Sequence, residues 1–278
     1  MLKRFEIMKI SKVIEAIECL APLALQEDYD NSGIQVCCSD DECTGVLVCL
    51  DITEDVVGEA VRLGCNLVVS HHPLLFSPLR HITTSSYQER CVVKAVRNGI
   101  SLYSAHTNLD NAEGGVNYRI ASLLGIESLQ WLEPKRDALG NVCGGSGVIG
   151  VLKEPVADGD FISRLSELFG VECVLHTALS GRTVSRVAVC GGAGSFLIPS
   201  AEEAGADCFV TGEISYHHYF DVATPSSGRS PMLLAALGHY QSEQYTKDLI
   251  RDCLAGSFPD LRVELTSIDT NPIHYTKR

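Results

Sequence analysis

Gly45-Val-Leu-Val-Cys-Leu50 and Asn66-Leu-Val-Val-Ser70 are the two stretches whose reading decides the fold. Both are apolar without alternation, the pattern of strands buried on both faces of a parallel sheet. Asp51 closes the first. Between them the spacing predicts a helix from about Thr53 to Leu63, with Glu54 and Asp55 at the positive end of its dipole and Gly64 as a left-handed stop. The segment is a β-α-β unit. It recurs at a constant offset of 141 residues, with Val46, Val48 and Cys49 matched by Val187, Val189 and Cys190. Ala60 matches Ala201, Gly64 matches Gly205, and Leu67-Val-Val-Ser70 matches Cys208-Phe-Val-Thr211 without a gap. An ungapped register of this length reads as an internal duplication that gives two related lobes.

Outward from this core, Ile10, Val13, Ile14, Ile17 and Leu20 fall at helical spacing behind Ser11 as N-cap, and Pro22 follows. The turn-rich stretch Tyr29-Asp-Asn-Ser-Gly33 leads into a short strand near Ile34–Val36. Each lobe ends in a further apolar strand: Gly99 to Ala105 runs into His106-Thr-Asn-Leu-Asp110, and Pro231 to Leu237 runs up to His239-Tyr-Gln-Ser-Glu243. Both sequels read His-x-x-x-acid. A Gly-rich connector from Gly140 to Gly150, with a helix near Asp160 to Leu168, has no partner in the repeat and is expected to form a small sheet or bridging element. The expected division is an N-terminal α/β lobe over 1–127, a connecting segment over 128–185 and a C-terminal α/β lobe over 186–278.

A chain of 278 residues with 45% hydrophobic residues can bury a substantial core. Its net charge of −13 argues against a general nucleic-acid binder, which needs clustered Lys and Arg. Lys3, Arg4, Lys9, Lys12, Glu15 and Glu18 interrupt any apolar signal segment between Met1 and Leu25, and no stretch reaches the ~18 to 20 apolar residues of a membrane span. A cytoplasmic protein is expected. The 12 cysteines contain no C-x-x-C, so they read as reduced thiols packed as small hydrophobes rather than as a zinc site or a disulfide set.

In doubly wound sheets, ligands bind beyond the carboxyl ends of the strands. The residues placed there are His71-His72 with Pro73 behind them, His106 and Asp110, Glu213, and His239 and Glu243. Imidazoles and carboxylates at one sheet edge suit Zn, Mn or Fe. Adjacent histidines in an extended segment point to opposite sides, so His71 and His72 suit two neighbouring ions better than one, with Asp110 or Glu243 able to bridge them. On a helix, His239 and Glu243 share a face and can clamp one ion. The bland alternatives are a turn or a satisfied polar pair for His71-His72, and a surface helix pair for His239 and Glu243. His217-His218 is either an outer contributor to the site or a solvated loop, and His81, His176 and His274 read as surface residues. The glycines at Gly144-Gly145 and Gly191-Gly192 match no nucleotide-phosphate motif.

Ser70-His-His-Pro-Leu74, Ala105-His-Thr-Asn-Leu-Asp110, Thr211-Gly-Glu with Tyr216-His217, and Gly238-His-Tyr-x-Ser-Glu243 resemble the GTP cyclohydrolase 1 type 2 family, also known as the NIF-three-like proteins. Tyr29-Asp-Asn-x-Gly33 and Val189-Cys-Gly-Gly192 fit the same family, so the resemblance spans nearly the whole chain in order. It implies an α/β fold of two duplicated Rossmann-like lobes with a dinuclear metal site between them, and assembly as a toroidal homohexamer built from trimers. Carried over by motif, the metal ligands are His71, His72, Asp110, His239 and Glu243, and His106 is a ligand or a proton carrier beside them. Ile214-Ser215 stands where relatives often have a basic residue, and His218 replaces a usual acid.

Two divalent ions (Zn, Mn or Fe) suggest a hydrolase acting on a small molecule through a metal-activated water, since paired cations ~3.5 to 4 Å apart bring a shared water's pKa toward ~7. The alternative is a non-enzymatic metal-binding regulatory or interaction protein. Open coordination positions facing a pocket favour the enzyme, whereas a closed coordination shell favours the alternative. DNA binding by an assembled ring is a third and weaker reading, set against the acidic balance of the chain.

Overall fold

The computed structural model describes residues 8–223 and 231–276. Lys3 and Arg4, and Met1 as a start, lie outside the described residues. The strands in chain order are β1 (Gly33–Val36), β2 (Val46–Cys49), β3 (Leu67–Ser70), β4 (Ser101–Ser104), β5 (Ile126–Arg136), β6 (Val142–Ala157), β7 (Leu175–His176), β8 (Thr183–Cys190), β9 (Cys208–Thr211), β10 (Leu233–Ala236) and β11 (Val263–Leu265). The helices are α1 (Ile10–Leu20), α2 (Glu54–Leu63), α3 (Tyr87–Arg97), α4 (Thr107–Asp110), α5 (Val116–Leu124), α6 (Asp158–Phe169), α7 (Ile198–Glu203), α8 (His218–Ala223), α9 (His239–Glu243) and α10 (Thr246–Ser257). The protein is α/β, with two sheets in two compact units.

The first unit holds a five-stranded sheet in the order β1-β4-β3-β2-β11, in which β11, β2, β3 and β4 run parallel and β1 is antiparallel at the edge. Every residue of β2, β3 and β4 is buried, which accounts for their largely apolar character. Leu47, Val68 and Leu102 pack with Val56 and Ala60 of α2 and Cys91 and Ala95 of α3. The Thr53 hydroxyl caps α2 by accepting the Val56 N–H at 3.3 Å. Ser11 is not the cap of α1. It lies inside the helix, where its own N–H donates to Asp40 Oδ1 at 2.9 Å, so a carboxylate 29 residues away serves the helix start.

The second unit holds a six-stranded sheet in the order β5-β6-β8-β9-β10-β7. Its parallel part repeats the first unit strand for strand. Val46 faces Leu67 across β2 and β3, and Val187 faces Cys208 across β8 and β9, the same pair displaced by the repeat. Gly64 and Gly205 both take left-handed backbone, with φ of 66° and 74°, and each stops the helix between its strands. Ala188, Phe209 and Leu234 pack with Leu197, Ile198 and Ala201 to form the core of this unit.

The units divide elsewhere than the expected boundaries. The first comprises 1–109 and 246–272, and the second 110–245 and 273–278. The Gly140–Gly150 stretch is neither a small sheet of its own nor a bridging element, because from Val142 onward it lies in β6, which pairs with β5 on one side and β8 on the other. At the other end of the chain, α10 packs on α1 and β11 extends the first sheet beside β2. The cysteines are all free, but only Cys43, Cys49, Cys65, Cys91, Cys190 and Cys208 are buried. Packing as small hydrophobes therefore describes half of them, while Cys19, Cys37, Cys143 and Cys173 are exposed.

Candidate functional site

In the first unit the chain leaves β3 at a point fixed by two buried serines. The Ser104 and Ser70 hydroxyls lie 2.7 Å apart, and Ser70 Oγ donates to the His72 carbonyl at 2.8 Å. This bend brings adjacent histidines together. The His71 and His72 rings lie 4.9 Å apart rather than on opposite sides of an extended strand. His106, just past β4, has its ring centroid 5.3 Å from that of His71 and 5.5 Å from that of His72. One nitrogen from each of the three imidazoles falls within 4.8 Å of the other two, a separation that a single cation can span.

Each ring in this cluster is held by its other nitrogen. His71 Nδ1 lies 2.8 Å from the Ala105 carbonyl, which can only accept, so Nδ1 carries the proton and Nε2 keeps its lone pair. His72 Nδ1 pairs with Asp51 Oδ1 at 2.7 Å, and His106 Nδ1 with Asp30 Oδ1 at 2.7 Å. Such outer acceptors orient metal-binding imidazoles and raise their basicity. Burial alone would push the Asp30 carboxyl up. The His106 hydrogen bond and charge, with the Thr107 and Ser32 hydroxyls, outweigh it and hold the group well below the usual carboxylate range. Burial likewise opposes ionisation of Asp51, and His72 and the Thr270 hydroxyl lower it overall. The roles of Asp30 and Asp51 are not visible in the ligand-type spacing. A signal exists for Asp51, an acid directly after an apolar strand at the same sheet edge as His71.

The second unit carries the remaining residues. His239 and Glu243 begin and end α9, and the four-residue spacing sets His239 Nε2 3.1 Å from Glu243 Oε2. His239 Nδ1 lies 3.4 Å from Glu213 Oε1, so Glu213, just beyond β9, holds the far side of that ring. Asp110 ends α4, and its carboxylate lies within 4.8 Å of that of Glu243. Asn117 ties this region together, donating to the Asp110 carbonyl at 2.9 Å and accepting the Gly191 N–H at 3.0 Å. Burial drives the Cys190 thiol far above its ordinary value, and the negative charges of Asp110 and Glu243 add to that. The Gly191-Gly192 turn serves packing. Gly192 has φ of 60°, its N–H donates to Ser242 Oγ at 3.1 Å, and the Ser242 hydroxyl donates to the His239 carbonyl at 2.8 Å.

His71, His72 and His106 thus gather in one unit, and Asp110, His239 and Glu243 gather in the other. His217 and His218 belong to no ligand group among the described residues; His218 pairs instead with Asp221 at 3.4 Å. His81, His176 and His274 are exposed. Oriented imidazole nitrogens on one unit, and carboxylates with an imidazole on the other, are the donor types that Zn, Mn and Fe take, so the residues present fit a metal.

The chain is 35% identical to a GTP cyclohydrolase 1 type 2 homolog of Lactococcus lactis, over 96% of this chain and 99% of that one. It is 30% identical to a Protein NIF3 homolog of Schizosaccharomyces pombe, over 95% of this chain and 96% of the relative. Among solved structures, a Staphylococcus aureus hypothetical protein superposes with a TM-score of 0.88 at 26% identity, covering 98% of this chain and all of the other. The model of the Duf34/NIF3 family (NGG1p interacting factor 3) matches residues 8–272, and the chain belongs to that family.

Proposed function

We propose that this protein holds two divalent ions through His71, His72, Asp110, His239 and Glu243, and uses them to hydrolyse a small molecule. The observation that carries the reading is the trio of imidazoles, each anchored at Nδ1 by an oxygen acceptor, which makes Nε2 the atom that takes a metal when the ring is neutral. A divalent pair, when bound, would supply the acidity and positive charge that attack of water on a phosphoester, an amide or a purine-like carbon requires. The chain's own residues do the rest. Glu213 fixes the His239 ring, and the carboxylates of Asp110 and Glu243 offset the charge of the ions. His106 takes up a proton at Nε2 and returns it, while Asp30, ionised through the ordinary pH range, stabilises the imidazolium. A toroidal homohexamer and a cytoplasmic location are part of the same proposal; among the described residues no helix is long and apolar enough to cross a membrane.

The test is elemental analysis of protein purified without added metal, together with His71→Ala, Glu243→Ala and His106→Ala. Two ions per chain are expected in the parent. His71→Ala and Glu243→Ala are each expected to lose metal. His106→Ala keeps its metal and loses turnover against nucleotide, phosphoester and amide panels. Metal-free parent protein would end the reading, and metal-loaded protein inert on every panel would leave only the non-enzymatic metal-binding role. Light scattering checks the assembly.

A further inference from the structure

We propose that Tyr29 and Phe76 form a stacking corner for a planar heteroaromatic ring, delivered to the histidine cluster of the first unit. The proposal rests on the reading of that cluster as a reactive centre, and it names the class of molecule brought there. Single exposed apolar side chains are ordinary. Here two large rings are exposed together, Tyr29 by 65% and Phe76 by 48%, and they meet with centroids 6.4 Å apart at an interplanar angle of 55°. A third ring stacked on the face of one would present its edge to the other, within the separations and geometries that aromatic groups favour. Phe76 in turn stands edge-on to His106, with centroids 6.1 Å apart at 83°. Phe76 therefore links the corner to an imidazole of the cluster.

The corner is held in place before any ligand arrives. Tyr29 and Phe76 sit on different loops, and hydrogen bonds lace those loops together. Asn31 Nδ2 donates to the Leu75 carbonyl at 2.7 Å, the Leu75 N–H donates to Gln35 Oε1 at 3.0 Å, and Gln35 Nε2 returns to the Asn31 carbonyl at 2.7 Å. Asp30, next to Tyr29, is fixed by His106 and Thr107. Exposed aromatic rings on pinned loops lose little freedom when a ligand stacks on them, which is the condition under which stacking contributes most to affinity.

The experiment is titration calorimetry on the full chain, metal-free and zinc-reloaded, with inosine 5′-monophosphate and ribose 5-phosphate as probes differing by the ring. The parent is expected to bind the ring-bearing probe about tenfold more tightly. Tyr29→Ala and Phe76→Ala should each remove most of that preference, while Tyr29→Phe and Phe76→Tyr retain it. Equal affinity for the two probes in the parent, or a preference unchanged in both alanine variants, overturns the proposal. So do alanine variants that change the molecular mass in solution and leave binding alone, which marks the corner as a contact between copies. Elemental analysis of the same samples separates the two readings. Loss of the ring preference with metal retained bears on the corner alone, whereas a parent or His71→Ala sample that fails the metal expectation bears on the centre.

Discussion

Gly192 makes room for Glu243: a Cβ on Gly192 would stand 2.4 Å from Glu243 Oε1. Its φ of 60° adds a second demand for glycine, since left-handed backbone costs other residues roughly 1–2 kcal/mol. Gly192→Ala is therefore expected to lower the thermal midpoint and to displace Glu243, reducing metal content in the same preparation. A variant as metal-rich and as stable as the parent would show that the carboxylate shifts freely.

Asp51 is expected to act on metal affinity through His72, and Asp30 on turnover through His106. Asp51→Asn and Asp30→Asn each keep the shape of the acceptor and remove its charge. Asp51→Asn should weaken metal binding by about 10–100-fold in competition with a chelator, the range found for outer-shell partners, whereas Asp30→Asn should keep its metal and lose turnover, as His106→Ala does. His72→Ala combined with Asp51→Asn should lose little beyond His72→Ala alone, because the second change then has no ring to act on.

Glu59 links α2 to the end of the first sheet, accepting from the Thr266 hydroxyl and from the Ser267 N–H and hydroxyl. Burial raises its carboxyl, but these hydrogen bonds outweigh it and leave the group below its ordinary value. The unfolded chain, titrating near ~4.3, takes up the proton first as the pH falls. The contribution of Glu59 is thus complete above that pH and is lost as acid approaches the lower folded value. Glu59→Gln should be less stable than the parent at neutral pH and should show a shallower loss of stability between neutral and acid pH in urea titrations.

Thr53→Ala should destabilise the protein by about 1 kcal/mol through loss of the α2 cap, whereas Ser11→Ala should leave α1 nearly unchanged because its serving carboxylate is Asp40. Urea midpoints of the two variants check both halves of this statement.

The duplication is legible because strands buried on both faces are largely apolar, so Val46 to Cys49 and Val187 to Cys190 carry the same signature at the same spacing. The polar ends of those strands are legible for a related reason. A histidine or acid within a few residues of the end of a buried strand has few structural uses, and His71, His106 and His239 all stand there. What escapes local reading is long-range pairing. Nothing in Val263–Leu265 announces β2 as its partner, and nothing in Gly140–Gly150 says that it will lie between β5 and β8. The remote service of Asp40 to Ser11 and of Asp30 to His106 is hidden in the same way, because both contacts close only when the loops fold.

The late arrival of β11 and α10 at the sheet built by β2, β3 and β4 sets an order of events during synthesis. Nearly all of the inserted half, 110–245, leaves the ribosome while the opening half still lacks its outer strand and the helix that packs on α1. The half encoded first therefore waits for almost the whole of the other, and until then β2 offers an open edge onto which another nascent chain can add.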